Sequence, residues 1–80
     1  MRVQVFVRLR NGVLDVQGKA VEHGLKHVGF EGVSQVRIGK LVEFEVDAED
    51  PAQAIRLSEE LCQKLLANPV IEDYEVRVVP

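Results

Sequence analysis

The sequence predicts an α+β fold of ferredoxin-like topology: an antiparallel sheet with two helices on one face, in the order β-α-β(β)-α-β. Apolar residues alternate with polar ones near both ends of the chain, which is the period of a strand with one buried face. Two segments between them carry apolar residues at helical spacing, each behind an aspartate that can cap a helix. Because 80 residues are too few for two separate cores, we expect one domain over residues 1–80.

The first strand is predicted over the alternating residues 3–9, and Asn11-Gly12 then supplies a turn. Asp15 follows as a candidate N-cap, and the spacing predicts a helix over residues 15–28 with Gly29 just past its end. The helix is expected to pack on the sheet through four apolar residues: Ala20, Val21, Leu25 and Val28.

Five apolar residues between positions 36 and 46 fall at alternate positions in one phase, which allows two interpretations; they are Val36, Ile38, Val42, Phe44 and Val46. A hairpin with a three-residue loop at 39–41 sets Val36 opposite Phe44, whereas a two-residue turn would set Val36 opposite a glutamate. The hairpin with the longer loop is therefore preferred. One unbroken strand over residues 33–47 keeps the same phase, but at ~3.3 Å per residue it would run roughly 50 Å. Such a strand makes sense only if it crosses into a partner subunit.

The second helix has the clearest start signal, since Asp50 can cap it, Pro51 suits its first position and Gln53 can complete a capping box. Asn68-Pro69 ends this helix, and a final strand is predicted over residues 70–79. The apolar face of the helix is expected to contain Ala54, Ile55, Ser58, Leu61, Cys62 and Leu65.

Composition limits the partners and the compartment. Ten basic residues against thirteen acidic ones leave a net charge of -3, so nucleic acid is not an expected partner. No apolar stretch is long enough for a signal peptide or a membrane span, and the lone cysteine cannot form an intramolecular disulfide, so we expect a cytoplasmic protein with no membrane partner. A domain this small is marginal as a monomer, which favours a homodimer or a higher homo-oligomer.

No group of residues forms a self-contained active site. His23 and His27 are four apart on the first predicted helix and could share a metal ion, but no third ligand stands at a diagnostic spacing. Cys62 lies in an apolar stripe and is expected to be a core side chain. Neighbouring carboxylates, Glu59-Glu60 and Glu72-Asp73, point away from each other in a helix or a strand. We therefore expect no catalytic residue and no metal site.

Two short segments are candidate contact sites. Arg37, Gly39 and Lys40 place two cations beside a glycine at a strand bend, which suits a partner subunit or an anion. Asn11-Gly12 could offer backbone amides to a small molecule, as in regulatory ligand-binding domains of ferredoxin-like topology. A regulatory domain is therefore the alternative interpretation.

Three segments together resemble the PurS family, the small accessory subunits of formylglycinamide ribonucleotide amidotransferase, or phosphoribosylformylglycinamidine synthase. The resemblance covers residues 3–78, and the segments lie at 13–21, 36–40 and 62–74. One departure is Val16, where the family usually has proline. Besides the segment with Arg37, Gly39 and Lys40, seven positions match the family pattern: Asp15, Gln17, Gly18, Asn68, Glu72, Asp73 and Tyr74.

The resemblance implies a PurS-like domain without an active site of its own, acting in purine biosynthesis. In the divided enzyme, a glutaminase subunit releases ammonia and a synthetase subunit uses ATP to activate formylglycinamide ribonucleotide. The resemblance implies that this chain associates with both subunits and supports ammonia transfer between them. It also implies that the chain binds no cofactor, whereas the complex uses ATP, magnesium and glutamine.

Overall fold

The computed structural model describes residues 1–80. In chain order the elements are β1 Arg2–Leu9, α1 Val16–His27, β2 Gly39–Glu45, α2 Pro51–Leu61 and β3 Glu72–Val79, and a π-helical turn at Cys62–Leu66 extends α2. The strands form one antiparallel sheet in the order β2-β1-β3. The predicted α+β class is confirmed. Neither helix has the length and apolar content needed to cross a membrane.

The core lies between the sheet and α2. The central strand β1 places Val5 between Val42 and Val76 of its two neighbours, and Val3 between Phe44 and Val78 by the same register. These side chains share one face of the sheet because residues two apart on a strand point the same way. The fully enclosed apolar cluster is small: Val3, Val5, Val7, Ala54, Cys62 and Ala67.

The second helix begins as the sequence predicts. The Asp50 side chain accepts a hydrogen bond from the Gln53 backbone N–H at 2.8 Å, and the Gln53 side chain accepts one from the Glu49 N–H at 2.7 Å. Ala54, Ser58 and Cys62 of the predicted apolar face are buried. Three other members of that face remain exposed, namely Ile55, Leu61 and Leu65. The stripe that contacts the sheet is thus narrower than expected.

The predicted hairpin is wrong. Residues 33–38 do not pair with β2 but lead directly into it, and β2 begins only at Gly39. The backbone N–H groups of Val36 and Ile38 donate to carboxylates of the preceding segment, Glu22 and Asp15, so these amides are not available for a hairpin ladder. The single strand over 33–47 is not formed either.

The first helix does not pack on the sheet through its apolar face. Its buried residues are Gly18 and Glu22, and both face residues 33–38. A Cβ at Gly18 would overlap the Val36 carbonyl oxygen, so only glycine fits there. We call residues 16–38 the arm, because α1 and the returning segment hold to each other rather than to the sheet.

The arm makes the chain elongated. The radius of gyration is 15.8 Å, against about 12 Å for a compact domain of this length. The accessible surface is 5913 Å², against about 4,900 Å² for a folded monomer of this mass. A single copy therefore leaves about 1,000 Å² more surface exposed than a compact monomer would.

Candidate functional site

The arm joins the sheet where β1 ends and β2 and β3 begin. A cleft of ≈ 390 Å³ opens at this end, between β1, β2 and the start of α1, and its lining includes Leu14, Asp15, Gln17, Lys40 and Glu72. The residues that match the family pattern meet here or at the adjacent turn. This end of the sheet is therefore the candidate site.

Asp15 is the centre of the joint between the arm and the sheet. Its buried carboxylate accepts hydrogen bonds from the Gly18 N–H at 2.8 Å and from the Ile38 N–H at 2.7 Å. The first bond caps α1, and the second fixes the segment that enters β2. These two bonds, helped by the Arg37 guanidinium at 3.9 Å, hold the pKa of Asp15 below its ordinary value despite burial.

Arg37 encloses the same joint from the other side. Its guanidinium donates to the carbonyls of Leu9 at 2.9 Å, Arg10 at 3.1 Å and Val13 at 3.3 Å. Those three carbonyls flank the turn between β1 and α1, so one side chain ties the end of the arm to the residues just before its start. We expected Arg37 to serve a partner or an anion rather than the fold. Its contacts show that Arg37 does hold the fold, whereas its contact with a partner or an anion stays a prediction.

Glu22 is a third member of the joint, and the sequence did not single it out. Its buried side chain accepts from the Val36 N–H at 3.4 Å and pairs with Lys19 at 3.4 Å. The bond from Val36, followed by the charge of Lys19, lowers the pKa of Glu22. The sequence did carry a signal for this role of Glu22. Asp15, the N-cap of α1, is followed at helical spacing by Gly18 and Glu22, which places the three on one side of the helix.

Gly39 and Lys40 differ from Arg37 in what they contact. A Cβ at Gly39 would come within 2.6 Å of the Val7 carbonyl oxygen, so glycine lets β2 start close to β1. Lys40 is exposed and makes no ion pair within the chain. It also borders a second cleft of ≈ 640 Å³ at the end of the uncovered face of the sheet, beside Arg8. Lys40 is thus the cation of this segment whose charge is left unpaired.

The turn before β3 holds the other matching positions. The Asn68 N–H donates to the Glu72 carboxylate at 2.6 Å, and the Asn68 side chain accepts from the Val70 N–H at 3.1 Å. Arg10, another residue the sequence analysis missed, pairs with Asp73 at 3.5 Å and donates to the Pro69 carbonyl. These contacts anchor the turn to the end of β1.

Tyr74 lies at the start of β3 beside the same turn. Its hydroxyl accepts a hydrogen bond from the Gln63 side chain at 2.9 Å, which links β3 to the π-helical turn. The ring packs against the core cluster. Gln17 lines the first cleft but makes no side-chain hydrogen bond.

The potentially reactive residues are not brought together. His23 and His27 are exposed on α1, and no group of three or more His, Cys, Asp or Glu residues is placed to hold a metal ion. Cys62 is buried, and burial raises the pKa of its thiol. The geometry therefore offers contacts that hold backbone segments together rather than a nucleophile with a base.

Comparisons with known proteins agree with this arrangement. A model of the family PurS: Phosphoribosylformylglycinamidine (FGAM) synthase matches residues 2–80. The chain belongs to the PurS family. A PurS subunit of phosphoribosylformylglycinamidine synthase from Bacillus subtilis is 46% identical over 77 residues, covering 96% of this chain and 90% of its own. The corresponding Synechocystis protein is 49% identical over 71 residues, covering 89% of this chain and 71% of its own.

Solved PurS structures have the same fold. One from Bacillus subtilis superposes with a TM-score of 0.85 at 44% identity, covering 99% of this chain and 98% of its own. A chain in the structure of PurLQS from Thermotoga maritima superposes with a TM-score of 0.86 at 36% identity, covering 95% and 93%. PurS is an accessory subunit of a ligase complex, phosphoribosylformylglycinamidine synthase.

Replacing Arg37 should destabilise this PurS chain, whereas replacing Lys40 should not. Arg37→Ala removes three hydrogen bonds to carbonyls, so we expect a loss of about 1–2 kcal/mol and a fall in Tm of about 5–10 °C. Lys40→Ala, the matched control, should change stability by less than about 0.5 kcal/mol. Thermal unfolding followed by circular dichroism measures both. An unchanged Tm for Arg37→Ala would contradict the role given to its contacts.

Stability should fall in acid because of Asp15 and Glu22. Their pKa values are lowered in the folded chain from 3.8 and 4.5, so the unfolded chain binds more protons as the pH falls. The stabilisation is fully present above pH 4.5 and is lost as the pH drops through the folded-state values. We expect Tm to decline below pH 4.5, and Glu22→Gln to make that decline shallower.

The matched control for the acid experiment is Glu31→Gln, which removes an exposed carboxylate from the arm. It should leave the slope of Tm against pH unchanged. Equal slopes for wild type and Glu22→Gln would show that the Glu22 carboxylate does not hold the Val36 amide.

Proposed function

We propose that this chain is the non-catalytic subunit of phosphoribosylformylglycinamidine synthase and that it joins the glutaminase and synthetase subunits of that enzyme in purine biosynthesis. One observation carries the proposal: in a member of the PurS family, the carboxylates that match the family pattern are engaged in contacts that shape the chain. Asp15, Glu72 and Asp73 each bind a backbone amide or an arginine of the same chain. These carboxylates are therefore not available for acid-base work.

A subunit without an active site can still couple the reactions of the two larger subunits. Glutamine hydrolysis and ATP-dependent amidation are distinct reactions on distinct subunits, and the ammonia made by the first must reach the second before it escapes to solvent. A small protein that fixes the two enzymes at one distance serves this transfer without chemistry of its own. In this proposal the chain works in the cytoplasm and binds no cofactor, and the complex uses ATP, magnesium and glutamine.

The cationic end of the sheet is the proposed contact with a larger subunit. Lys40 borders both clefts, and neither it nor Arg8 has an acidic partner within the chain. Unpaired surface cations accelerate association with an acidic surface more than they stabilise a fold. Gly39 contributes to this end of the sheet by letting β2 start close to β1, since a Cβ there would approach the Val7 carbonyl oxygen.

Self-association is also part of the proposal. The extra surface of about 1,000 Å² per chain is of the size that each partner buries in a standard protein interface, about 800 Å². A homodimer would remove this surface from water. The alternative, a regulatory domain that binds a small molecule at Asn11-Gly12, has less support, because the similar proteins described above are PurS subunits.

Removing this chain from the reconstituted enzyme should abolish glutamine as a nitrogen source and spare ammonia. High concentrations of free ammonia need no delivery, so the synthetase subunit should still form formylglycinamidine ribonucleotide. Side-by-side turnover assays with the two nitrogen sources measure this difference. Loss of ammonia-dependent turnover in the absence of this chain would contradict a non-catalytic role.

The control for that assay is a chain in which the potentially reactive residues are replaced together. Adding wild-type chain should restore glutamine-dependent turnover, and so should the variant His23→Gln, His27→Gln, Cys62→Ala, since none of these residues has a chemical role in the proposal. Thermal unfolding confirms that the variant is folded before the assay. A folded, assembled variant that fails to restore turnover would refute the assignment.

A further inference from the structure

The turn between β1 and α1 contains Asn11 followed by Gly12, and both residues are exposed. The Val13 N–H donates to the Arg10 carbonyl at 3.1 Å, which closes a β-turn around these two residues. Gly12 has a φ of +90°, a conformation that glycine adopts without steric cost. A Cβ built at Gly12 would have no neighbour within 4 Å, so solvent reaches this side of the turn freely.

The peptide group in the middle of the turn is not held by any hydrogen bond. The Gly12 N–H donates none, the Asn11 carbonyl accepts none, and the Asn11 side-chain amide is also free. The ends of the turn are fixed instead, because Arg37 binds the carbonyls of Arg10 and Val13. The middle peptide group can therefore rotate while the turn keeps its place, which brings the Gly12 nitrogen towards the Asn11 side chain.

We propose that Asn11 is a site of spontaneous deamidation, a modification in which water enters and the side-chain nitrogen leaves as ammonia. Loss of the Gly12 amide proton to a base lets the Gly12 nitrogen attack Cγ of Asn11. The new N–Cγ bond closes a succinimide ring, the bond from Cγ to Nδ2 breaks, and ammonia leaves with a proton from solvent. Water then opens the ring at either of its two carbonyls. One opening gives aspartate, and the other gives isoaspartate, in which the side-chain carbon has become part of the main chain.

The other asparagine of the chain has the opposite environment. Asn68 precedes Pro69, whose nitrogen carries no proton, so this nitrogen cannot be activated to close the same ring. The Asn68 side chain is also engaged, since it accepts a hydrogen bond from the Val70 N–H at 3.1 Å. Deamidation should therefore be confined to Asn11, and Asn68 serves as a control within the same molecule.

Isoaspartate at position 11 should weaken the joint described above. It adds one carbon to the main chain between the Arg10 and Val13 carbonyls, which the Arg37 guanidinium binds together. One planar guanidinium cannot follow both carbonyls when their spacing changes. Aspartate keeps the length of the main chain and adds only an exposed negative charge at neutral pH. The two products should therefore differ in stability.

Incubation of the purified chain at mildly alkaline pH tests the site. Each conversion exchanges an amide for a carboxylate, so the net charge of -3 becomes more negative by one and a more acidic species accumulates on isoelectric focusing. The rate should rise in proportion to the hydroxide concentration. Digestion after lysine yields residues 1–19 with Asn11 and residues 65–80 with Asn68. Mass spectrometry should find the deamidated mass only in the first peptide. No conversion, or equal conversion of the two asparagines, would overturn the proposal.

Two variants separate the chemistry from its effect on the fold. Asn11→Gln is the matched control, because its longer side chain would have to close a larger ring, and it should stay unmodified with the Tm of wild type. Asn11→Asp supplies the first product directly and should also keep that Tm. The isoaspartate fraction of aged wild type, identified by labelling with an isoaspartyl methyltransferase, should unfold at a lower temperature than Asn11→Asp. Equal Tm values for these two would show that the extra carbon does not reach the joint.

Discussion

The carboxylate of Asp15 binds two backbone amides, one in the first turn of α1 and one in the segment that enters β2, and the course of the arm depends on that pair of bonds. A buried carboxylate with two amide donors is strongly oriented. Glu22, about two turns further along the helix, likewise accepts a hydrogen bond from a backbone amide of residues 33–38, and Arg37 encloses the joint by binding the carbonyls on its other side. The helix is consequently fixed to residues 33–38 and not to the sheet.

The consequences of this joint extend to function. A helix held off the sheet leaves apolar side chains such as Val21 and Val28 exposed. The charged groups at the joint, which at first sight resemble a site for chemistry, are occupied in holding the backbone. The carboxylates that match the family pattern thus serve the shape of the chain, which suits the subunit role proposed above.

Local signals were enough to predict most of the elements. The start of α2 follows from Asp50 and Pro51, and the strands β1 and β3 follow from the alternation of apolar and polar residues, because these features involve neighbouring residues. The hairpin prediction failed because the phase of apolar residues between positions 36 and 46 is the same whether the chain turns back or continues. The predicted position of α1 was wrong for a similar reason. Periodicity identifies the apolar face of a helix but not what that face contacts.

The candidate site was predicted in part. Family resemblance singled out Asp15, Gly18 and Arg37, which the structure brings together at the joint, whereas the charge of Arg37 suggested contact with a partner subunit or an anion. Its actual partners are backbone carbonyls, which leave no trace in a sequence. Glu22 and Arg10 were missed because their roles depend on segments far away along the chain, residues 33–38 and the turn before β3.

Amide hydrogen exchange tests the joint most directly, because the Val36 and Ile38 N–H groups lie outside any strand and owe their bonds to two carboxylates. In wild type both amides should exchange slowly. In Asp15→Asn the Ile38 amide should lose its protection, while core amides such as that of Val5 keep theirs. Fast exchange of both amides in the wild-type chain, or unchanged protection of Ile38 in the variant, would contradict the account.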